Sequence, residues 1–146
     1  MKKFVFPLSR VMDWRAMLVR VEESKLEQIY AELRVIDARK AALEREREQS
    51  ERAMLARSAT TGAELSALDS FRRFVFAERN RLEGVRAGIS ERIAAQIQVV
   101  SKKRRDVKLL ERLKDQRFEK WHTEFGREID AEADESFLAK WNRQAS

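Results

Sequence analysis

The chain has 146 residues, of which 38% are charged and 43% are hydrophobic, and its formal net charge is +6. One proline and four glycines are too few for the turns of a sandwich, a barrel or a doubly wound sheet, so we expect an all-α protein. The absence of cysteine excludes disulfides, thiolate metal sites and cysteine nucleophiles.

The first predicted helix runs from about residue 7 to about residue 57. Pro7 suits the first helical position, because its φ angle is already helical and an N–H is not needed there. Apolar residues follow at steps of three and four, as in a helix with one partner, at Val11, Trp14, Leu18, Ile29, Leu33, Ile36 and Leu43. The interval of eleven residues from Leu18 to Ile29 predicts that the supercoil unwinds locally in this helix.

The stretch SATTGAE, residues 58–64, is predicted to be the turn. Small and hydroxylated residues surround Gly62, and a glycine can adopt the left-handed conformation that ends many helices.

The second predicted helix, about residues 65–141, has two rows of positions with a seven-residue repeat. One row is Leu68, Val75, Leu82, Ile89, Gln96, Lys103 and Leu110, and the other is Phe71, Glu78, Val85, Arg92, Val99, Asp106 and Leu113. Polar residues in these rows predict a thin and partly hydrated seam. We therefore expect an antiparallel two-helix coiled coil forming a single domain over residues 1–146, with Leu43 opposite Arg79 and Leu8 near Lys114.

Beyond Lys114 the second helix should continue without a partner for about 40 Å, at about 1.5 Å per residue. Four large apolar residues share one face of this overhang, Phe118, Trp121, Phe125 and Ile129. A single helix cannot bury them, so we expect another protein to cover them. The alternative is that the N-terminal FVFPL segment folds along the overhang and covers part of this face, leaving Phe125 and later residues uncovered.

Charge is distributed unevenly along the second helix. Residues 101–120 carry nine Lys or Arg against four Asp or Glu, whereas residues 121–146 carry three against six. The basic stretch could bind phosphates of nucleic acid or of an anionic surface. Lysine and arginine rows also line ordinary coiled coils, and no aromatic stacking surface lies among these residues, so we do not expect a nucleic-acid partner.

No enzymatic signature occurs in the sequence. It has one histidine, His122, no phosphate-binding glycine loop and no nucleophile beside a base, so we expect a non-enzymatic protein without metal or cofactor. No apolar run approaches the ~20 residues of a membrane span, and the N-terminus lacks the apolar stretch of a signal peptide. We expect a soluble chain.

Three stretches resemble a known family. MKKFVFPLSRVMDWR (residues 1–15) has a basic and aromatic start with Phe-x-Phe, and LDSFRRFVFAE (residues 68–78) has an aromatic residue, two polar residues and then Phe. KLLERLKDQRFEKWHTEFGREIDAEADE (residues 108–135) has Lys-x-x-Glu-x-Leu, then a charged helix and a final Asp-Glu. In these features the chain resembles the flagellar type III export protein family FliJ.

The resemblance implies a non-enzymatic coiled coil similar to the γ stalk of rotary ATPases. Members of the family bind the hexameric export ATPase FliI, reach the export gate protein FlhA and handle empty export chaperones, in the cytoplasm at the inner membrane. The related stalk of virulence injectisomes is the nearest alternative. A basic coiled coil that binds nucleic acid or anionic surfaces, and a structural coiled coil that dimerises by pairing two overhangs, are alternatives from other classes.

The resemblance also suggests two candidate sites. Contact with the ATPase ring is assigned to Arg104, Arg105, Arg112, Arg117, Phe118, Trp121 and Phe125, with arginines facing acidic ring surfaces and aromatic rings packing on the ring wall. Contact with the export gate is assigned to Phe74, which matches the Phe of the family's aromatic-x-x-Phe element, together with Phe71.

Overall fold

A computed structural model describes residues 3–146, in which two long helices pack against each other as an all-α hairpin. Helix α1 spans Ser9–Leu55 and helix α2 spans Gly62–Ala145. The fold class is as predicted, and the helix ends differ from the expected ones by two to four residues. Met1 and Lys2, which belong to the first family-like motif, lie outside the described residues.

The chain divides into two compact units. The loop unit is Arg20–Ser101, and the terminal unit combines Met1–Val19 with Lys102–Ser146. Each unit contains a segment of α1 and a segment of α2.

The core of the loop unit is small. Leu43 of α1 is fully buried against Val75 and Leu82 of α2, and Ile36 and Phe71 pack around these three side chains. Together with Ile89, Ile93 and Val100, which are also buried, this cluster supplies apolar burial that holds the two helices together.

The seam of α1 keeps a regular seven-residue repeat in the loop unit. Its two rows of buried or half-buried residues are Glu22, Ile29, Ile36, Leu43 and Ser50, and Leu26, Leu33, Lys40, Arg47 and Met54. The local unwinding predicted between Leu18 and Ile29 is wrong, because the half-buried residues Glu22 and Leu26 fill this interval at helical steps of three and four. Val11 and Trp14, also predicted in the apolar stripe, are 41% and 54% exposed. Leu18 is half-buried as predicted, and so are Met12 and Val19 in that part of α1.

The spacing of the seam rows changes in α2 instead. Val75, Leu82 and Ile89 are buried as predicted, but Val85, Arg92 and Val99 are exposed, so this part of the second predicted row is wrong. Ile93 and Val100, each one residue later, are buried in their place. The first predicted row keeps its seven-residue repeat and is buried or half-buried through Leu110, so from Ile89 onward the second row lies four residues after the first instead of three. A helix with 3.6 residues per turn drifts relative to a seven-residue repeat, and this change of spacing compensates for the drift.

The loop between the helices comprises residues 56–61. The Thr61 hydroxyl accepts a hydrogen bond from the Glu64 backbone N–H at 3.2 Å, and the Thr61 carbonyl accepts one from Leu65 at 3.1 Å. Thr61 is therefore the N-cap of α2, in the Thr-x-x-Glu pattern of a capping box. The left-handed conformation expected at Gly62 is wrong, since this glycine has a negative φ and begins the helix.

Ion pairs flank the seam of the loop unit, with their arginines six or seven residues apart, and we call this set the arginine ladder. In each pair of the ladder, an arginine of α2 donates to a carboxylate of α1. The pairs are Arg72–Glu51 (2.7 Å), Arg79–Glu44 (3.0 Å), Arg86–Asp37 (2.8 Å) and Arg92–Glu32 (2.6 Å). Arg79 lies next to the residue predicted to oppose it, so the antiparallel register is confirmed to within one residue in this unit.

Within residues 3–146, neither helix contains a segment long and apolar enough to cross a membrane.

Candidate functional site

The N-terminal segment of the terminal unit, residues 3–8, precedes α1 and is not helical. Its Phe6 side chain is only 5% exposed. The Phe6 carbonyl accepts a hydrogen bond from the Ser9 backbone N–H at 3.2 Å, and the Leu8 carbonyl accepts one from Met12 at 2.9 Å. Pro7, predicted as the first helical residue, lies in the turn that leads into α1 and has no N–H to leave unpaired.

Phe4 brings this segment against α2. The Phe4 ring lies 5.2 Å from the Phe118 ring and 5.8 Å from the Trp121 ring, measured between centroids. Trp121 stacks on Phe125 at 5.3 Å with an angle of 7° between the planes. Phe6, two residues after Phe4, has the Arg117 guanidinium carbon of α2 at 5.9 Å from its ring centroid. We use the name aromatic cluster for five residues: Phe4, Phe6, Phe118, Trp121 and Phe125.

The alternative in which the N-terminal segment covers part of the overhang is therefore confirmed, except that it left Phe125 uncovered and this residue is half-buried. Trp121 and Phe125 are half-buried, whereas Phe118 is 45% exposed and Ile129 is 47% exposed. The expectation that another protein would have to cover this face is wrong in part, because Phe4, just before α1, buries apolar area by packing on Phe118 and Trp121. Phe118 and Ile129 keep apolar surface available.

Arg15 and Asp106 also join α1 to α2 in the terminal unit. The Arg15 guanidinium donates to the Asp106 carboxylate at 3.3 Å, and both side chains are about one third exposed. Asp106 was predicted at the seam and is half-buried there. The pair allows a polar residue to occupy a seam position with its carboxylate satisfied.

The four candidate arginines of the ring site are all exposed: Arg104, Arg105, Arg112 and Arg117. At 100° per residue, Arg105 and Arg112 lie on the side of α2 away from its half-buried seam residues Leu110 and Lys114. Arg117 lies at the seam edge, with its guanidinium carbon 5.9 Å from the Phe6 ring centroid. Arg105 and Arg112 therefore lie on a different face of α2 from the aromatic residues of the predicted ring site, whereas Arg117 lies beside the aromatic cluster.

After Gly126, every residue of α2 is exposed. This part of the helix, residues 127–145, is about 28 Å long, and we call it the tail. It carries Phe137 and Trp141, 66% and 60% exposed, with ring centroids 6.5 Å apart. Sequence reasoning placed these two rings on the overhang without giving them a role, although their four-residue spacing already puts them on one face.

The two candidate gate residues differ in burial. Phe71 is half-buried against the loop-unit core, whereas Phe74 is 51% exposed, and their ring centroids are 6.4 Å apart. Phe76, next along the helix, is 70% exposed and lines a shallow groove of about 280 Å³ with Arg72 and Arg79. Phe71 is thus mainly a packing residue, and Phe74 and Phe76 are the rings that a partner can reach.

The ion pairs beside this groove shift the titration of their members. Hydrogen bonds from Arg47 lower the pKa of Glu44, with further contributions from the charges of Arg47 and Arg79. Hydrogen bonding by Arg72 likewise lowers the pKa of Glu51, and the bond to Glu44 raises the pKa of Arg47. All of these groups are charged at neutral pH, so the groove has a fixed pattern of alternating charge and no proton donor tuned near pH 7.

Among residues 3–146, no group of three His, Asp or Glu side chains is arranged to hold a metal ion. The His122 ring stacks against Phe118, with centroids 6.1 Å apart and planes at 15°. His122 therefore lies beside the aromatic cluster and contacts it through Phe118.

Comparison with known proteins gives no match to any protein-family model, curated protein or solved structure.

Proposed function

We propose that this chain is a stalk-like, non-enzymatic component of the flagellar type III export apparatus, related to the FliJ family. In this proposal its terminal unit binds the hexameric export ATPase FliI. Its loop unit contacts the export gate protein FlhA, and it handles export chaperones in the cytoplasm at the inner membrane. The proposal combines the three family-like motifs with the geometry of the terminal unit.

The observation that carries the proposal is that α2 continues beyond the aromatic cluster as a helix exposed on every side. A single helix of this length is marginally stable in water, so packing against a partner would contribute much of its order. A partner that surrounds the helix can contact all of its faces at once. This favours a ring over a flat surface as the binding partner.

The separation of basic and aromatic residues supports the same type of partner. Arg112 lies on one side of α2 and Phe118 on another, so a flat partner would meet one and miss the other. A ring can offer carboxylates to the arginines and apolar surface to Phe118 and Ile129. Charge would mainly guide encounter and orientation, and the rings would supply most of the affinity.

The decisive experiment is copurification with the FliI ATPase of the same organism, with ATP turnover measured in parallel. The full chain is compared with a chain ending at Gly126, which lacks the tail but keeps all five members of the aromatic cluster. We expect the full chain to bind and raise turnover, and the shortened chain to bind at least tenfold more weakly. The matched control is the full chain with Val35→Ser, an exposed position in the loop unit.

Two results would contradict the proposal. If the shortened chain binds and activates as well as the full chain, the tail is not the ring-contacting element. If neither chain binds, the flagellar assignment fails, and a salt titration with DNA and with anionic vesicles then tests the basic surface. A steep loss of binding with salt is the signature of phosphate contacts.

For the gate contact, Phe74→Ala is the informative variant. Because Phe74 is half exposed and Phe71 packs on the core, we expect Phe74→Ala to leave helicity and FliI binding unchanged and to weaken FlhA binding. Phe71→Ala should instead lower the thermal midpoint. A loss of helicity in Phe74→Ala would mean that this ring is structural and the gate assignment is wrong.

A further inference from the structure

The terminal unit has a second surface, on the side of α2 that faces away from α1. We call it the outer face, and its row contains Leu109, Arg112, Gln116, Glu119, Thr123, Arg127, Asp130, Asp134 and Phe137. Every one of these residues is exposed. Leu109 and Phe137, at the two ends of the row, are its only large apolar residues, and they are 62% and 66% exposed.

The spacing of this row is symmetric about Thr123. From Thr123 to Leu109 the row descends by steps of four, three, four and three residues. From Thr123 to Phe137 it ascends by the same steps in the same order. Steps of three and four keep a row on one face of a helix. A second copy turned by 180° about an axis through Thr123 would therefore place its outer face along the first, residue for residue.

The residues that this rotation brings together are chemically matched. Leu109 faces Phe137, which pairs the two large apolar residues. Arg112 faces Asp134, and Glu119 faces Arg127, so each charge meets an opposite charge. Gln116 faces Asp130, and Thr123 faces itself. By symmetry every unlike pair occurs twice, as in an isologous two-fold interface.

The charge gradient along α2 selects the antiparallel orientation. Residues 101–120 carry nine basic against four acidic residues, and residues 121–146 carry three against six. An antiparallel pair lays the acidic part of one copy on the basic part of the other, whereas a parallel pair would place like charges together. Within residues 3–146, no ion pair involves Arg112, Arg127 or Asp134, so pairing across copies would break no existing salt bridge of these three residues.

From this complementarity we propose that two copies of the chain associate as an antiparallel homodimer through the outer faces of their terminal units, with Thr123 on the two-fold axis. This inference is independent of the flagellar assignment. If both hold, the dimer occupies the tail and Arg112, so it competes with the ATPase ring for the same surface. The chain would then form this dimer when it is not bound to the ATPase.

The first test is sedimentation equilibrium of the full chain across a concentration series. We expect the average mass to rise from one copy to two. Arg112→Glu and Asp134→Arg should each weaken association at least fivefold, because each brings like charges together at two symmetric places. The double variant should restore association by reversing both partners. As a matched control, Glu128→Arg, which lies off the outer face, should not rescue Arg112→Glu.

The second test uses the absence of cysteine from the chain. A two-fold axis at Thr123 brings its two copies close together, so Thr123→Cys should form a disulfide-linked dimer under mild oxidation. Ser136→Cys, on another side of the helix, should form little at the same protein concentration. Circular dichroism checks that each variant remains helical.

Either of two results overturns the proposal. One is a mass of a single copy at every concentration tested. The other is a dimer in which Thr123→Cys links no better than Ser136→Cys or in which the charge-exchanged double variant is not restored, since both belong to a different interface. Neither measurement involves the ATPase, so failure here leaves the proposed export function untouched, and the reverse is also true.

Discussion

The ring of Phe4 meets the ring of Phe118 edge to face, with centroids 5.2 Å apart and planes at 78°. This is a preferred geometry for aromatic pairs, because the positive edge of one ring faces the negative face of the other. The contact fixes the segment before α1 onto α2. The residues that the family resemblance proposes for ring contact are therefore already partly ordered by the chain itself.

Phe6 should be the main anchor of this segment. Replacing it with alanine removes a ring that is 5% exposed, and we expect Phe6→Ala to lower the free energy of unfolding of the terminal unit by about 3 kcal/mol. Amide hydrogen exchange of residues 110–121 reports the loss locally. Val5→Ala is the control, because Val5 is 75% exposed and should change stability by less than about 0.5 kcal/mol. Equal effects of the two variants would show that the segment is not anchored through Phe6.

The revised seam of α2 is tested by two adjacent valines. Val100 is 3% exposed and Val99 is 37% exposed. Val100→Ala should cost about 2 kcal/mol through lost burial and a residual cavity, whereas Val99→Ala should cost less than about 0.5 kcal/mol. Urea unfolding followed by circular dichroism at 222 nm measures both. A larger effect at Val99 would restore the strict seven-residue repeat that the structure contradicts.

The arginine ladder predicts acid sensitivity. Two of its acceptors, Glu44 and Glu51, have pKa values below the ordinary 4.5, because Glu44 accepts hydrogen bonds from Arg47 of α1 and Glu51 accepts one from Arg72. Because the folded-state pKa is the lower one, the folded chain binds fewer protons than the unfolded chain. The stabilisation is complete above the unfolded value and is lost as the pH falls through the folded value. The thermal midpoint should therefore be flat from roughly pH 7 to roughly pH 5 and fall below it.

The double variant Glu44→Gln, Glu51→Gln is the control for this acid sensitivity. It removes both titrating groups, so its thermal midpoint should be lower at neutral pH and should fall less steeply in acid. A midpoint that falls already between roughly pH 7 and roughly pH 6 would point to a different titrating group, since no lowered carboxyl pKa lies in that window.

Gly84 and Gly88 offer a gain in stability. A Cβ built at either position meets no atom within 4 Å, and neither glycine has a positive φ. Gly84→Ala and Gly88→Ala should each raise the free energy of unfolding by roughly 0.5 to 1 kcal/mol, because alanine loses less backbone entropy in a helix. Thermal denaturation measures the gain, and Ala87→Gly should have the opposite sign. A loss in either glycine variant would indicate a close neighbour at that position, such as a second chain.

The fold class and the antiparallel register follow from the sequence because apolar spacing and the absence of turn residues are local signals. The seam in α2 does not follow from the sequence in full. The choice between Val99 and Val100 depends on how the helix rotates against its partner, and two adjacent valines give no reason to prefer either one. The cap at Thr61 was readable from Thr-x-x-Glu. The packing of the N-terminal segment on α2 could be predicted only as one of two alternatives, because contacts between residues far apart in sequence leave no periodic pattern.

The regular spacing of the arginine ladder has a consequence for alignment. Three of its arginines, Arg72, Arg79 and Arg86, and their acceptors, Glu51, Glu44 and Asp37, recur every seven residues. Sliding one helix by seven residues would thus re-form two of the three pairs, so the ladder alone tolerates a shifted alignment. Features that occur only once have to exclude it. In the loop unit these are the six-residue loop, the change in the spacing of the two seam rows near Ile89, and the Gln96 amide that donates to the Glu22 carbonyl at 3.0 Å. These irregular features, and not the repeated ion pairs, therefore select one alignment of the two helices.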